Sequence, residues 1–317
     1  MNARPGISRR RALAAAGAAA LAGALARLPE MASAGDAPLR TRAIPHGGER
    51  LPVVGIGTAI IFDFENDAGR YAERREVIRS LAAAGGRLID TAAAYGRAED
   101  RLGEIVAELG VRDRLFLATK FSFREDRAGA EGSMQASLRR LRTERVDLMQ
   151  AWNVGDPDYS LDLLREWRQR GLCRYIGITT SSSRQYGAMA RVLAREKPDF
   201  LQVNYSLGDR EAENALLPAA QEAGAAVLVN LPFGRNSLFR RAGTRPLPEF
   251  AAEFGARTWA QFFLKFILGH SAVTAVIPGT DRPAYMLDNL AAGRGPLPDA
   301  EMRKRIARYW DSLPELS

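Results

Sequence analysis

The chain has 317 residues, 46% of them hydrophobic and 26% charged, which excludes the disordered and fibrous classes and suffices to bury one large core or two smaller ones. Its net charge of +8 is concentrated at one end, since the first 34 residues hold five arginines against Glu30. The remaining arginines are scattered among acids along helical patterns, so they read as solvated faces rather than a phosphate-binding stripe, and no nucleic-acid partner is expected.

Ser8-Arg9-Arg10-Arg11-Ala12-Leu13 carries an arginine pair followed by apolar residues, and Ala12 to Leu28 is an Ala/Leu/Gly run interrupted only by Arg27. The run has no polar face at helical period, which argues against an amphipathic structural helix. Residues 1–34 are therefore expected to be a twin-arginine signal with an A-x-A cleavage site at Ala32-Ser33-Ala34, delivering a folded protein to the periplasm through the twin-arginine machinery. The run is short and alanine-rich for a permanent anchor. Cys173, the single cysteine, cannot form an internal disulfide, so an oxidising compartment neither helps nor hinders the fold.

Beyond an opening turn at His46-Gly47-Gly48, apolar runs of strand length recur at Val53–Gly57, Leu88–Asp90, Leu115–Lys120, Val146–Trp152, Tyr175–Thr179, Phe200–Asn204, Ala226–Asn230 and Ala275–Pro278. Between them lie helical patterns at Glu76–Ala84, Glu99–Leu109, Ser133–Leu141, Leu161–Arg170, Arg184–Arg195, Ala212–Ala223 and Thr258–Leu268. Strands alternating with helices make a parallel sheet through right-handed crossovers. Eight such units in about 250 residues predict an α/β fold of the (β/α)8 TIM-barrel type. No G-x-G-x-x-G follows the first strand to support a doubly wound sheet. Residues 41–317 show no linker or composition break, so one barrel domain is expected, and as a monomer.

Asp90 ends the second of these runs, Tyr95 lies in the tight loop after it, and Lys120 ends the third. In a barrel all three reach the carboxyl face, where strand ends and loops converge. A lysine ending a core strand is costly unless paired, and Asp90 can pair it. An ammonium beside the Tyr95 hydroxyl favours the ionised phenol, which equips Tyr95 as a general acid. The bland alternative is a structural ion pair with a packing tyrosine.

These residues and their neighbours resemble the aldo/keto reductase family. Gly55-Ile56-Gly57-Thr58 is similar to its first-strand G-x-G-T. Leu88-Ile89-Asp90-Thr91-Ala92 with Tyr95-Gly96 is similar to its I-D-T-A…Y-G, and Leu117-Ala118-Thr119-Lys120 to its lysine segment. Ile176-Gly177-Ile178-Thr179-Thr180 stands where the family reads G-v-S-N, and Gln202-Val203-Asn204-Tyr205-Ser206 matches Q-v-n-Y-s. Ile277-Pro278-Gly279-Thr280 with Asp288-Asn289-Leu290 resembles the I-P-G…E-N-l cofactor segment.

The resemblance implies reduction of small aldehydes or ketones by hydride transfer from NADPH, with NADH as the alternative cofactor. It makes Tyr95 the proton donor, tuned by Lys120 and Asp90. Thr179, Thr180 and Gln202 would face the nicotinamide amide, and Gly279, Thr280 and Asn289 the adenosine phosphate end. The family's substrate-orienting histidine is replaced by Trp152 in Val146-Asp147-Leu148-Met149-Gln150-Ala151-Trp152-Asn153. The only histidines, His46 and His270, read as structural. Indole offers one N–H donor and no acceptor, so it can substitute in part for the imidazole or simply fill the pocket. Gly279 and Tyr285 replace basic residues that grip the 2′-phosphate, leaving Arg282 as the nearest candidate, and Asn230 stands where some members stack a tyrosine. Phe121, Phe123 and Trp152 near the mouth suit an apolar or aromatic carbonyl compound.

Two readings follow: a working exported reductase, or a barrel that binds a nicotinamide nucleotide with little turnover as a sensor or structural partner. Retention of Asp90, Tyr95 and Lys120 together favours the first, because a binding site alone has no need of an activated phenol. No metal is expected, since two separated histidines and one cysteine make no ligand cluster.

Overall fold

A computed structural model describes residues 37–122, 126–152 and 161–314. The proposed export signal, Phe123 and Asn153 lie outside the described residues. A hairpin of β1 (Thr41–Ala43) and β2 (Arg50–Pro52), turning at His46 to Gly48, precedes the barrel. The barrel strands are β3 (Ile56–Gly57), β4 (Leu88–Asp90), β5 (Phe116–Ser122), β6 (Val146–Trp152), β7 (Cys173–Thr180), β8 (Phe200–Asn204), β9 (Ala226–Asn230) and β10 (Val273–Val276). They are hydrogen-bonded in chain order, every neighbouring pair parallel. Gly55 N–H donates to Val276 O at 2.8 Å and Val276 N–H to Val53 O at 2.9 Å, which brings the last strand against the first and closes the cylinder.

Alternation along each strand splits the core in two. Leu88, Phe116, Ala118, Leu148, Phe200, Ala226, Leu228 and Ala275 fill the barrel interior, and Ile44 and Leu51 of the hairpin seal its amino end. The opposite set, including Ile89, Leu117, Met149, Ile178, Leu201 and Val227, packs under the helices. Three side chains stitch the amino end. Leu117 N–H donates to Asp147 Oδ2 (2.8 Å), Ile176 N–H to Asp199 Oδ2 (2.9 Å) and Val227 N–H to Thr274 Oγ1 (3.0 Å), so β5, β7 and β9 are each tied near their start to a side chain of the next strand or of the residue before it. With the floor plugged and stitched, only the carboxyl end is left to build a site.

The helices are α1 (Ala68–Ala83), α2 (Ala98–Leu109), α3 (Arg127–Arg140), α4 (Asp162–Gln169), α5 (Tyr186–Glu196), α6 (Leu216–Ala223), α7 (Ser237–Ala242), α8 (Trp259–Leu268), α9 (Pro283–Ala292) and α10 (Ala300–Ser312). α1 begins eight residues before the expected Glu76, because Asp67 accepts from Arg70 N–H and starts a first half with little apolar period to betray it. Expectation also stopped short of α7, α9 and α10. The buried face of α8 carries Phe262, Phe263 and Phe266, and Phe263 meets Trp310 of α10 edge-on at 5.3 Å, so α10 closes the aromatic layer outside the barrel. Cys173, the first residue of β7, is buried, and burial pushes its thiol up to about 12, leaving it an inert core residue. No helix among the described residues is long and apolar enough to cross a membrane.

Candidate active site

Period two decides which polar residues enter the barrel. Leu88 points inward, so Asp90 does too. The same step takes Ala118 to Lys120, Leu148 to Gln150 and Trp152, Phe200 to Gln202, and Leu228 to Asn230. The interior is apolar near its floor and polar at its carboxyl end.

Lys120 Nζ donates to Asp90 Oδ2 at 2.6 Å and to Thr91 O at 2.8 Å, with both charged side chains almost fully buried. The ammonium also lies 5.0 Å from the centre of the Tyr95 ring and interacts with the Tyr95 hydroxyl. Tyr95 itself is only half-buried, at the turn that leads into α2. It therefore joins the buried ion pair to the open end of the barrel.

Burial pushes the Asp90 carboxyl above its usual range, opposed by the Lys120 charge and by amide donors. For Lys120, burial acts to lower the ammonium's affinity for its proton, but Asp90 and Tyr95 together outweigh it and hold Lys120 above the ordinary lysine value. The lysine is thus a fixed cation at neutral pH.

Around this pair sits a ring of amides and hydroxyls. Gln150 Nε2 donates to Asp90 Oδ1 at 3.3 Å, and Thr179 Oγ1 donates to Gln202 Oε1 at 2.9 Å. The Gln202 amide nitrogen lies near Asp90 without closing a hydrogen bond, and Asn230 Oδ1 and Gln150 Oε1 are likewise buried without a protein partner. Buried polar atoms are normally satisfied. A free donor on Gln202 and a free acceptor on Asn230, on adjacent strands, match the two faces of a primary carboxamide, which is the group a nicotinamide presents. Among the described residues no group of three His, Cys, Asp or Glu side chains is placed to hold a metal ion.

A family model described as the aldo/keto reductase family matches residues 53–309, the whole barrel with its ring of helices. The chain belongs to the aldo/keto reductase family. It is similar to the aldo-keto reductase str7 of Strobilurus tenacellus, 27% identical over 310 residues that cover 84% of this chain and 90% of that one. In three dimensions it resembles an aldo/keto reductase from Klebsiella pneumoniae in complex with NADP and acetate (TM-score 0.69, 23% identity, 85% and 96% of the two chains). It also resembles the holo form of aldo-keto reductase AKR11C1 from Bacillus halodurans (TM-score 0.70, 24% identity, 88% and 98%).

In this aldo/keto reductase Trp152 is the last inward residue of β6, level with Thr179 of β7 and partly exposed at the mouth, where the family places histidine. Neither histidine of the chain reaches it. His46 lies in the floor hairpin with Nδ1 3.2 Å from Asp199 Oδ1, and His270 precedes β10 against Tyr205. Thr180 faces away from Thr179: its hydroxyl bonds Gln185 and accepts from Ser182 N–H at 3.0 Å, so it closes the loop after β7. Thr280 and Asn289 are buried on each other, with Asn289 Nδ2 donating to Thr280 Oγ1 at 3.0 Å, and they fix the turn from Gly279 into α9. Arg282 is exposed at the N-cap of α9, 6.0 Å from the Tyr285 ring centre.

The expectation from sequence passed over Gln150. Its signal was a lone amide in the apolar run Val146–Trp152, two residues from an inward leucine. Arg74 was also missed: nearly buried on α1, it donates to Ile61 O at 2.8 Å and to Asp281 O at 2.6 Å, tying the loop after β3 to the loop after β10.

Proposed function

We propose that this chain is an exported NADPH-dependent reductase of small aldehydes and ketones, in which Tyr95 gives the proton to the carbonyl oxygen. The observation that carries the reading is the Lys120 ammonium, locked by Asp90 at 2.6 Å and set beside Tyr95 at the open end of the barrel. A bound nicotinamide would supply the hydride. The protein's part is position and electrostatics. The unpaired Gln202 amide nitrogen and Asn230 amide oxygen, with Thr179 bonded to the Gln202 carbonyl, would hold the carboxamide, and Lys120 would stabilise the phenolate that Tyr95 leaves after proton transfer. Trp152 has one N–H and no acceptor, so it can help to orient a carbonyl oxygen but cannot relay a proton. Its indole favours apolar or aromatic substrates; Phe121, expected at the mouth, instead alternates with inward Lys120 and packs outward on Trp167 of α4 at 5.0 Å.

NADPH is preferred over NADH on the strength of Arg282, an exposed cation within the segment from Gly279 to Asn289, and of the NADP carried by the Klebsiella pneumoniae structure. Titration with each nucleotide, followed by tryptophan fluorescence, should give saturable quenching with tighter binding of NADPH. Failure of both to bind below about 1 mM would remove the cofactor from the account.

Export rests on Arg9-Arg10 and the Ala/Leu/Gly run that follows. Replacing both arginines by lysine should leave the protein in the cytoplasm of a host with a twin-arginine system. Undiminished periplasmic accumulation of that variant would overturn the export assignment.

A further inference from the structure

Arg97 is the N-cap of α2 and makes no side-chain cap bond, although the turn that carries Tyr95 runs straight into it. The acceptor comes from elsewhere. Asp63, in the loop between β3 and α1, takes the Arg97 N–H on Oδ1 at 2.9 Å, the task a helix's own third residue performs in a capping box. The same carboxylate is packed against Gly96, where an added Cβ would fall 2.2 Å from Oδ1 and 2.6 Å from Oδ2. Gly96 also has φ +55, so the residue after Tyr95 must be glycine both for its backbone and for the acid beside it.

The loop that presents Asp63 is itself held. Thr58 N–H donates to Asp90 O at 3.0 Å and Arg74 grips Ile61 O. Between them Ile60 sits at φ +67, a conformation costly for a β-branched residue that persists only where the surroundings impose it. The fixed loop therefore delivers a carboxylate to one place, the backbone immediately after Tyr95.

We propose that Asp63 is a positioning residue for Tyr95. Its charge-assisted bond to Arg97 N–H and its contact with Gly96 fix the turn 95–97, so that the phenol stays beside Lys120. This rests on the reading of Tyr95 as proton donor. A carboxylate that only strengthened α2 would lower the melting temperature when removed and leave turnover alone. A carboxylate that aims the phenol lowers turnover, because displacement of a reacting group by about 1 Å costs about a hundredfold.

The test compares wild type, Asp63→Ala, Asp63→Asn and Tyr95→Phe in the full-length protein. Two readouts are used: amide hydrogen exchange at Arg97, and kcat and KM for reduction of an aromatic aldehyde with NADPH. Asp63→Ala should exchange the Arg97 amide about tenfold faster and lose about tenfold to a hundredfold in kcat, with KM for NADPH unchanged. Asp63→Asn keeps an acceptor oxygen and should restore both. Wild-type exchange at Arg97 in Asp63→Ala would overturn the proposal, and so would wild-type kcat in that variant while Tyr95→Phe is dead. Full turnover in Tyr95→Phe would instead overturn the reading on which it rests.

Discussion

Tyr95→Phe should lose carbonyl reduction by about a thousandfold or more while its affinity for the nucleotide stays within about twofold of wild type. The substitution keeps the ring, and with it the face that Lys120 approaches at 5.0 Å, and removes only the oxygen and its proton. In many sites the lost donor could be covered by a neighbour. Here, among the described residues, the carboxyl end of the barrel offers Lys120, already committed to Asp90 and Thr91, amides that do not surrender protons, and Trp152 in place of an imidazole. The absence of a histidine thus makes Tyr95 more necessary. Measurement of kcat/KM over aldehydes, ketones and quinones, beside a nucleotide titration of the same preparation, separates the two effects. A parallel loss of nucleotide affinity and turnover would mean that the phenol serves binding rather than proton transfer.

Lys120→Met should be the most destabilising single change in the site. Removing one member of a buried, hydrogen-bonded ion pair strands the other and costs about 3–5 kcal/mol, which for a domain of this size lowers the melting temperature by about 6–20 °C. The sign of its pH dependence follows from Asp90. Burial already raises that carboxyl's pKa, and the variant deletes the cation that opposed the rise. A carboxyl whose folded pKa lies above its unfolded value favours the fold when protonated and loses that advantage as pH rises through the folded pKa. The melting-temperature deficit of Lys120→Met should therefore be smallest near pH 5 and grow toward pH 8. Adding Asp90→Asn leaves a neutral amide in place of the stranded charge and should recover much of the deficit at pH 8 without restoring reduction. A deficit independent of pH, or restored activity in the double variant, would show that Asp90 and Lys120 do not act as a coupled pair.

The strands were legible in the sequence because parallel strands buried on both faces write themselves as continuous apolar runs bounded by turns. Phe200–Asn204 and Ala226–Asn230 coincide with their expected bounds for that reason. Elements held by tertiary context were less legible. The three-residue strands of the floor hairpin are too short to show a period, and the outer half of α1 faces solvent with arginines and a glutamate. α10 did leave a signal: Asp299 accepts from Met302 N–H, with Pro298 before it and Glu301 in the first turn, and Ile306 and Trp310 are its buried face.

The site divides along the same line. Asp90 and Lys120 could be paired from sequence since each ends a strand of a closed barrel, and barrel closure does the rest. Asp63 could not, because a single acid between Phe62 and Phe64 carries no spacing signal that links it to Tyr95, and only the folded chain shows Gly96 and Arg97 against it. Thr180 shows the converse limit. Its place beside Thr179 suggests a shared role, but successive strand residues face opposite ways, and its hydroxyl goes to the loop.

The most direct test follows the hydrogen itself. Purified protein is given NADPH deuterated at both C4 positions and an aromatic aldehyde, and the alcohol formed is examined by mass spectrometry, with Tyr95→Phe as control. One deuterium on the former carbonyl carbon with wild type, and none with Tyr95→Phe, is the predicted result. Nucleotide that binds tightly yet passes no deuterium to any aldehyde, ketone or quinone offered would contradict the reductase and leave a nucleotide-binding barrel in its place.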